Sequence, residues 1–260
     1  MASSVRAPEL RGHCSWERGQ FGDAHDYWTA AADSYKLMGR TNLLLNALDL
    51  LCKADFEMAR DLEYRQLIVE VERLGHECGN DRQVTQALLH RASQSVVLCD
   101  LPAAQECLDR ANALISQLDQ EVPKLSLSLD WARGDYLLAQ QRPAEALECL
   151  TRAKRCAQDQ RMRVTLATIR NDYGKALIAL DRLEHASAVL LDAESVLELC
   201  SATPALAKTY ALWARYWWKK GDPTAAAQAL EEARALARHL PICGRTLERE
   251  LEAAANLIGQ

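Results

Sequence analysis

One phrase returns along this chain at a nearly fixed interval, and that interval decides what the chain can fold into. PAAQECLDRANAL (102–114) is followed by PAEALECLTRAKRC (143–156), LEHASAVLLDAESVL (183–197) and PTAAAQALEEARAL (223–236). Each holds a small residue, a leucine four positions on and an alanine seven positions on: Ala104, Leu108 and Ala111; Ala146, Leu150 and Ala153; Ala186, Leu190 and Ala193; Ala226, Leu230 and Ala233. Offsets of four and seven mark one face of a helix. The small residues step by 42, 40 and 40, and a doubled step back from Ala104 reaches Ala24, with Trp28 and Ala31 at the matching places. A period of this length is the signature of stacked supersecondary units, each too small to bury its apolar face alone. Such an array grows without a single closed core, so 260 residues set no domain count.

Composition agrees with helices that approach closely. Apolar residues make up 49% and aromatics 6%, with two phenylalanines, while alanine and leucine dominate. Glycine and proline fall between the periodic segments, as helix punctuation. Cutting there predicts helix pairs at 13–20 and 23–38, 41–54 and 57–74, 82–98 and 102–118, 124–140 and 143–157, 161–180 and 183–199, and 204–220 and 223–239. Asn80–Asp81 and Gly221–Asp222 are the best turn and cap candidates. No run alternates as a strand would. The expected architecture is an all-α, right-handed superhelical solenoid of antiparallel helix pairs, five to six repeats long. A loose N-terminal arm covers 1–12, the array covers 13–240, and 241–260 forms a capping helix.

Charge and cysteine usage narrow the function. A net charge of −5 and a pI near 5.7 argue against general nucleic-acid binding. No segment is apolar and long enough for a membrane span or a secretory leader, which predicts a cytoplasmic protein with no membrane partner. The nine cysteines form no CxxC, and most fall on apolar helical positions, which reads as buried free thiols in a reducing compartment. Cys149 and Cys156, His239 and Cys243, and His76 and Cys78 are close pairs, but none has a second pair at zinc-site spacing. Neither a metal site, a catalytic residue nor a cofactor is expected. The basic run TRAKRCAQDQRMR (151–163) has no interleaved aromatics and reads as a solvated face.

The pattern resembles the tetratricopeptide repeat (TPR) family, most closely over 82–240, more weakly at 13–38, and poorly at 40–80. Aligning the hinge alanines to that family's small residue in its second helix puts Ala92, Gly134, Gly174 and Ala214 where its first helix needs a small side chain. Leu88, Tyr173, Leu177, Tyr210, Trp213 and Trp217 take the larger core positions. The 40-residue period and phrases such as RQLIVEVERLGHECGNDRQVTQALLHRAS are also similar to the C-terminal sensor arms of bacterial STAND-class ATPases and maltose-regulator-type activators. No phosphate loop or DNA-reading motif accompanies them, so that resemblance implies a sensor arm without its motor.

In the TPR family the first helix of each pair lines a concave groove. Carried onto this sequence, the resemblance places Trp131, Asp135, Asn171, Lys175, Lys208, Arg215, Trp218 and Lys219 in that groove, which becomes more basic and aromatic toward its C-terminal end. Tryptophan beside arginine and lysine suits an acidic, partly apolar peptide; packing of Trp218 on the last helix is the plain alternative. The family's carboxylate clamp uses Lys and Asn in a set order that Asn171 and Lys175 reverse, so that sub-function is not expected. The expected function is non-enzymatic binding of a protein or peptide in the groove. The alternative is a small-ligand or inhibitor-sensing arm of a STAND-type regulator, and self-association is open to either.

Overall fold

A computed structural model describes residues 7–118 and 122–259, and the described residues form thirteen α-helices with no strand. They are α1 (Ala7–Glu17), α2 (Phe21–Leu37), α3 (Thr41–Glu57), α4 (Asp61–Glu77), α5 (Asp81–Val97), α6 (Leu101–Gln117), α7 (Pro123–Ala139), α8 (Pro143–Asp159), α9 (Arg163–Ala179), α10 (Leu183–Leu199), α11 (Thr203–Lys219), α12 (Pro223–Arg238) and α13 (Arg245–Ile258). Consecutive helices pack in pairs, α1 with α2 through α11 with α12, giving an α solenoid of six pairs and one further helix. No described helix is long and apolar enough to cross a membrane. Residues 1–6 of the expected arm lie outside the described residues, and 7–12 are the first turns of α1 rather than an arm.

The regularity exceeds what the repeated phrase announces. Ten of the helices are 17 residues long, and their starts step by 20 everywhere except between α6 and α7. One turn design explains this. In each described three-residue turn the second residue takes a left-handed backbone: Gly19, Gly39, Ala59, Gly79, Cys99, Gln141, Arg161, Asp181, Ser201 and Gly221. The next amide then bonds back five residues, as in Arg40 to Tyr35 and Met162 to Ala157, which closes a Schellman cap and opens the next helix at once. Asn80, Asp100 and Asp222 add side-chain caps on Gln83, Ala103 and Ala225.

The seams are those the phrase marks. Ala24, Ala104, Ala146, Ala186 and Ala226 have no exposed surface, nor have Ala111, Ala153, Ala193 and Ala233. Opposite them, a Cβ on Gly134 would lie 2.6 Å from Leu150 and one on Gly174 2.9 Å from Leu190, so only glycine admits those leucines. The second pair inverts the rule. Tyr64, Ile68 and Val71 hold the places of alanine, leucine and alanine, and Cys52 sits at the first-helix seam; all four are buried, and the Tyr64 ring meets Phe56 in a tilted contact at 5.6 Å. That volume exchange is why 40–80 reads poorly as a repeat.

The ends of the array meet. Gly19, between α1 and α2, faces Leu240 and Pro204 so closely that a Cβ would stand 2.6 and 2.9 Å away. Gly244, before α13, lies against Phe21 in the same manner. The six pairs therefore close into a ring, whereas an open solenoid touches only its nearest neighbours. The last helix does more than cap. Leu251, Ala254, Ala255 and Ile258 join the core of the final pairs. Its other end crosses the inner face, where Arg245 reaches Asp61 and stacks on Phe56, and Thr246 bonds Glu57.

Candidate site on the inner face of the ring

The polar residues of the inner face converge under α13. Lys175 donates to Glu250, and Arg215 lies 3.7 Å from the other Glu250 oxygen. Arg249 donates to the Val96 carbonyl at 2.6 Å. Glu57 accepts from both the amide and the hydroxyl of Thr246. A stripe of Leu247, Leu251, Ala254, Ala255 and Ile258 would ordinarily exclude a carboxylate; Glu250 stands within it because two cations from α9 and α11 meet it there. Burial alone would raise its carboxyl, but Lys175, Lys208 and Arg215 outweigh that and hold it down at about 2.

Beneath α13 two adjoining chambers of about 350 and 410 Å³ remain. They share Trp16, Lys53, Glu57, His90, Asp135, Asp172 and Lys208 as walls. Volumes of this order suit small-molecule sites. Asp172 is 2% exposed and fully engaged: Lys208 donates to one oxygen at 2.7 Å and the Trp131 indole to the other at 2.8 Å. Burial would lower the Lys208 ammonium, but Asp172, Glu250 and Asp135 carry it above its usual value. His90 is oriented by Asp49 at 2.8 Å. The Asp135 side chain makes no hydrogen bond among the described residues. Burial, then the nearby Asp172, push its carboxyl up to about 8.

Of the eight groove residues read from sequence, Trp131, Asp135, Lys175, Lys208 and Arg215 line these chambers. Three do not. Asn171 is wholly buried in the seam between α9 and α11, donating to Ala205 O and accepting from Thr209. Lys219 is exposed and pairs with Asp181 at 2.6 Å, and Trp218 is half-buried outside the chamber walls. The groove is also not the basic surface expected, because Lys175, Lys208 and Arg215 each face a buried carboxylate. Asp172, one position from Asn171, was missed, as were Lys53, Glu57 and the whole contribution of α13. Glu250 inside an apolar stripe was the signal available.

The remaining candidates resolve plainly. Only Cys52, Cys107 and Cys149 are buried; Cys78, Cys99 and Cys200 sit in the turns after α4, α5 and α10 and are exposed. In the basic run, Arg152 pairs with Asp130 at 2.6 Å and Lys154 lies over the Tyr173 ring at 4.1 Å. Tyr210 and Trp213 both donate to Glu194, and Trp213 stacks on Trp217, so that stripe packs.

No protein-family model matches this sequence, and no curated protein matches it. Among solved structures it is similar to BtubC (BKLC) from P. vanneervenii, a helical-repeat protein, at a TM-score of 0.54 and 17% identity, over 74% of this chain and 80% of that one. A match to the TPR2AB domain of yeast Sti1 in complex with pHSP90 covers all of both chains but at a TM-score of 0.39 and 14% identity, too low to carry an argument. The likeness to BtubC is one of fold: a helical-repeat array.

Proposed function

We propose that this chain is a non-enzymatic interaction module of tetratricopeptide type whose inner face receives a carboxylate-bearing segment, the place that α13 occupies in the closed ring. The observation that carries this reading is the Lys175–Glu250–Arg215 contact: two inner-face cations hold one acidic residue of a helix laid across them. The acidic peptide anticipated for this groove thus has an internal counterpart. Most of the other contacts at the ring-spanning end of α13 are polar, and contacts of that kind exchange for a partner's with less loss than packed apolar ones.

A labelled peptide of residues 243–259 tests it. Glu250→Lys in the full chain sets like charges against Lys175 and Arg215 and loosens α13, which hydrogen exchange over Arg245–Ile258 reports. The loosened chain is expected to bind the peptide at least tenfold tighter than the unsubstituted chain, and a peptide carrying the same substitution is expected to bind neither. If exchange shows α13 released and the peptide still does not bind, the groove reading fails. A second reading, small-ligand sensing in the manner of STAND-class arms, draws on a different observation: the half-open chambers under α13.

A further inference from the structure

Most charged groups of the chamber walls are committed to one another. Lys208 is held by Asp172, Lys175 and Arg215 by Glu250, and Arg249 by the Val96 carbonyl. Lys53 lies over the Trp16 ring at 5.3 Å, with Glu17 and Glu57 as its charged neighbours. Besides the second Glu250 oxygen, which has only the ion-pair contact of Arg215 at 3.7 Å, two acceptor groups are left over. The Asp135 carboxyl lines both chambers without a hydrogen bond, and the Gln94 side-chain oxygen, on a residue 6% exposed, lines the first without a partner. An acceptor as deeply buried as the Gln94 oxygen rarely lacks a donor in folded proteins and marks a place for a missing one; the half-buried Asp135 carboxyl opens on the same space. Trp131 and Trp16 flank the same space, and the bond from Trp131 to Asp172 fixes that ring. Aromatic faces beside a carboxylate are the surroundings that a desolvated cation prefers.

We propose that these chambers bind a small organic ammonium ion, its head on the Asp135 carboxylate and its apolar body along Trp131 and Trp16. The proposal rests on the ligand-sensing reading and names its ligand class. The protein's own cations in the walls are engaged elsewhere, Lys208 by Asp172, Lys175 and Arg215 by Glu250 and Lys53 over Trp16, so an ammonium head supplies the direct partner that Asp135 lacks. Protonation is coupled to this. Asp172 and Lys175 on α9, Lys208 on α11 and Glu250 on α13 face Asp135; burial, Asp172 and Glu250 outweigh the opposing pull of Lys208 and Lys175 and leave it a neutral acid at neutral pH. A cation binds the ionised form, so binding releases a proton, and affinity climbs about tenfold per pH unit below 8 and levels above it.

Calorimetry and thermal shift on the full chain test this with ethylammonium, 2-phenylethylammonium and spermidine, against 3-phenylpropionate and 2-phenylethanol as an anion and a neutral molecule of similar size. At least one of the three cations is expected to bind and raise the melting temperature, with the stated pH dependence, and Asp135→Asn is expected to weaken that binding tenfold or more. The pH profile of the unsubstituted chain tests the same carboxyl without a variant, and an affinity that stays flat below pH 8 overturns its role. Preferential binding of phenylpropionate overturns the cation assignment while leaving a ligand cavity. Binding that Asp135→Asn leaves unchanged overturns the role of Asp135. Absence of binding by all five compounds at millimolar concentration overturns both the assignment and the ligand-sensing reading.

Discussion

The Lys175 ammonium on α9 donates to Glu250 on α13, seventy-five positions later, and Arg215 on α11 approaches the same carboxylate from its other side. This contact ties the last helix to the inner face of a ring whose ends meet elsewhere. Replacing Glu250 with Gln leaves two half-buried cations facing a buried neutral amide. Breaking one partner of a buried pair costs about 3–5 kcal/mol, and urea unfolding of Glu250→Gln is expected to show a loss of that order. Because the folded carboxyl is held at about 2, below its unfolded value, its contribution is complete above the ordinary carboxylate range and fades as pH falls toward 2. The variant is expected to lose that part of the acid sensitivity.

Asp135 has the opposite sign. Its folded carboxyl is raised to about 8, so the folded ring holds a proton that the unfolded chain has released by mild acidity. Stability is therefore expected to fall as pH rises from the ordinary carboxylate range to 8 and to level beyond it. Asp135→Asn removes the ionisable group and keeps its shape. The variant is expected to be more stable than the unsubstituted chain at pH 9, by roughly 1–3 kcal/mol, and to show a flatter profile between pH 5 and 9. Urea midpoints at those two values check it; a variant equally weakened at pH 9 contradicts the sign.

The seams of the array were legible and the ring was not, and both outcomes have physical causes. Ala104, Leu108 and Ala111 repeat because each pair solves the same packing problem with the same volumes, so period alone locates them. Tyr64, Ile68 and Val71 solve it with different volumes, which hid the second pair from that pattern. On the inner face Asp135, Lys175 and Lys208 line a chamber, whereas Asn171 belongs to the seam and its neighbour Asp172 faces the chamber, because adjacent helical residues point to different sides. Closure depends on Gly19 meeting Leu240 and on Gly244 meeting Phe21, contacts between residues remote in sequence that no local period encodes. The identity of the groove's occupant was hidden for the same reason, since α13 reaches the inner face only once the ring has formed.

Gly134 tests the seam. A Cβ there meets Leu150 at 2.6 Å, and Leu150 has no exposed surface into which it can retreat. Gly134→Leu is expected to destabilise by about 1–3 kcal/mol or more through overpacking, despite the better helix propensity of leucine. Leu150→Ala alone opens a cavity and is expected to cost about 2–5 kcal/mol. The double variant is expected to cost less than the sum of the two, because the new side chain fills the space the old one leaves. A double-mutant cycle in urea measures the coupling; strict additivity would mean that the two helices do not approach at these residues.

The turns offer a test in which the sign reverses between equivalent places. Gly79 and Arg161 hold the same second position of a three-residue turn, with φ of 60° and 54°. A Cβ on Gly79 meets nothing within 4 Å, so Gly79→Ala isolates the left-handed backbone cost from any clash, about 1–2 kcal/mol. Arg161 already bears that cost. Its side chain is exposed, and its backbone amide bond to the Gln158 carbonyl survives substitution. Arg161→Gly is therefore expected to stabilise by about 0.5–1 kcal/mol, the relief of the left-handed penalty less the greater chain entropy that glycine brings to the unfolded state. Thermal denaturation of the two single variants decides it: the melting temperature should fall for Gly79→Ala and rise for Arg161→Gly. If both fall, the turns do not share one geometry, and the 20-residue step of the helices needs another cause.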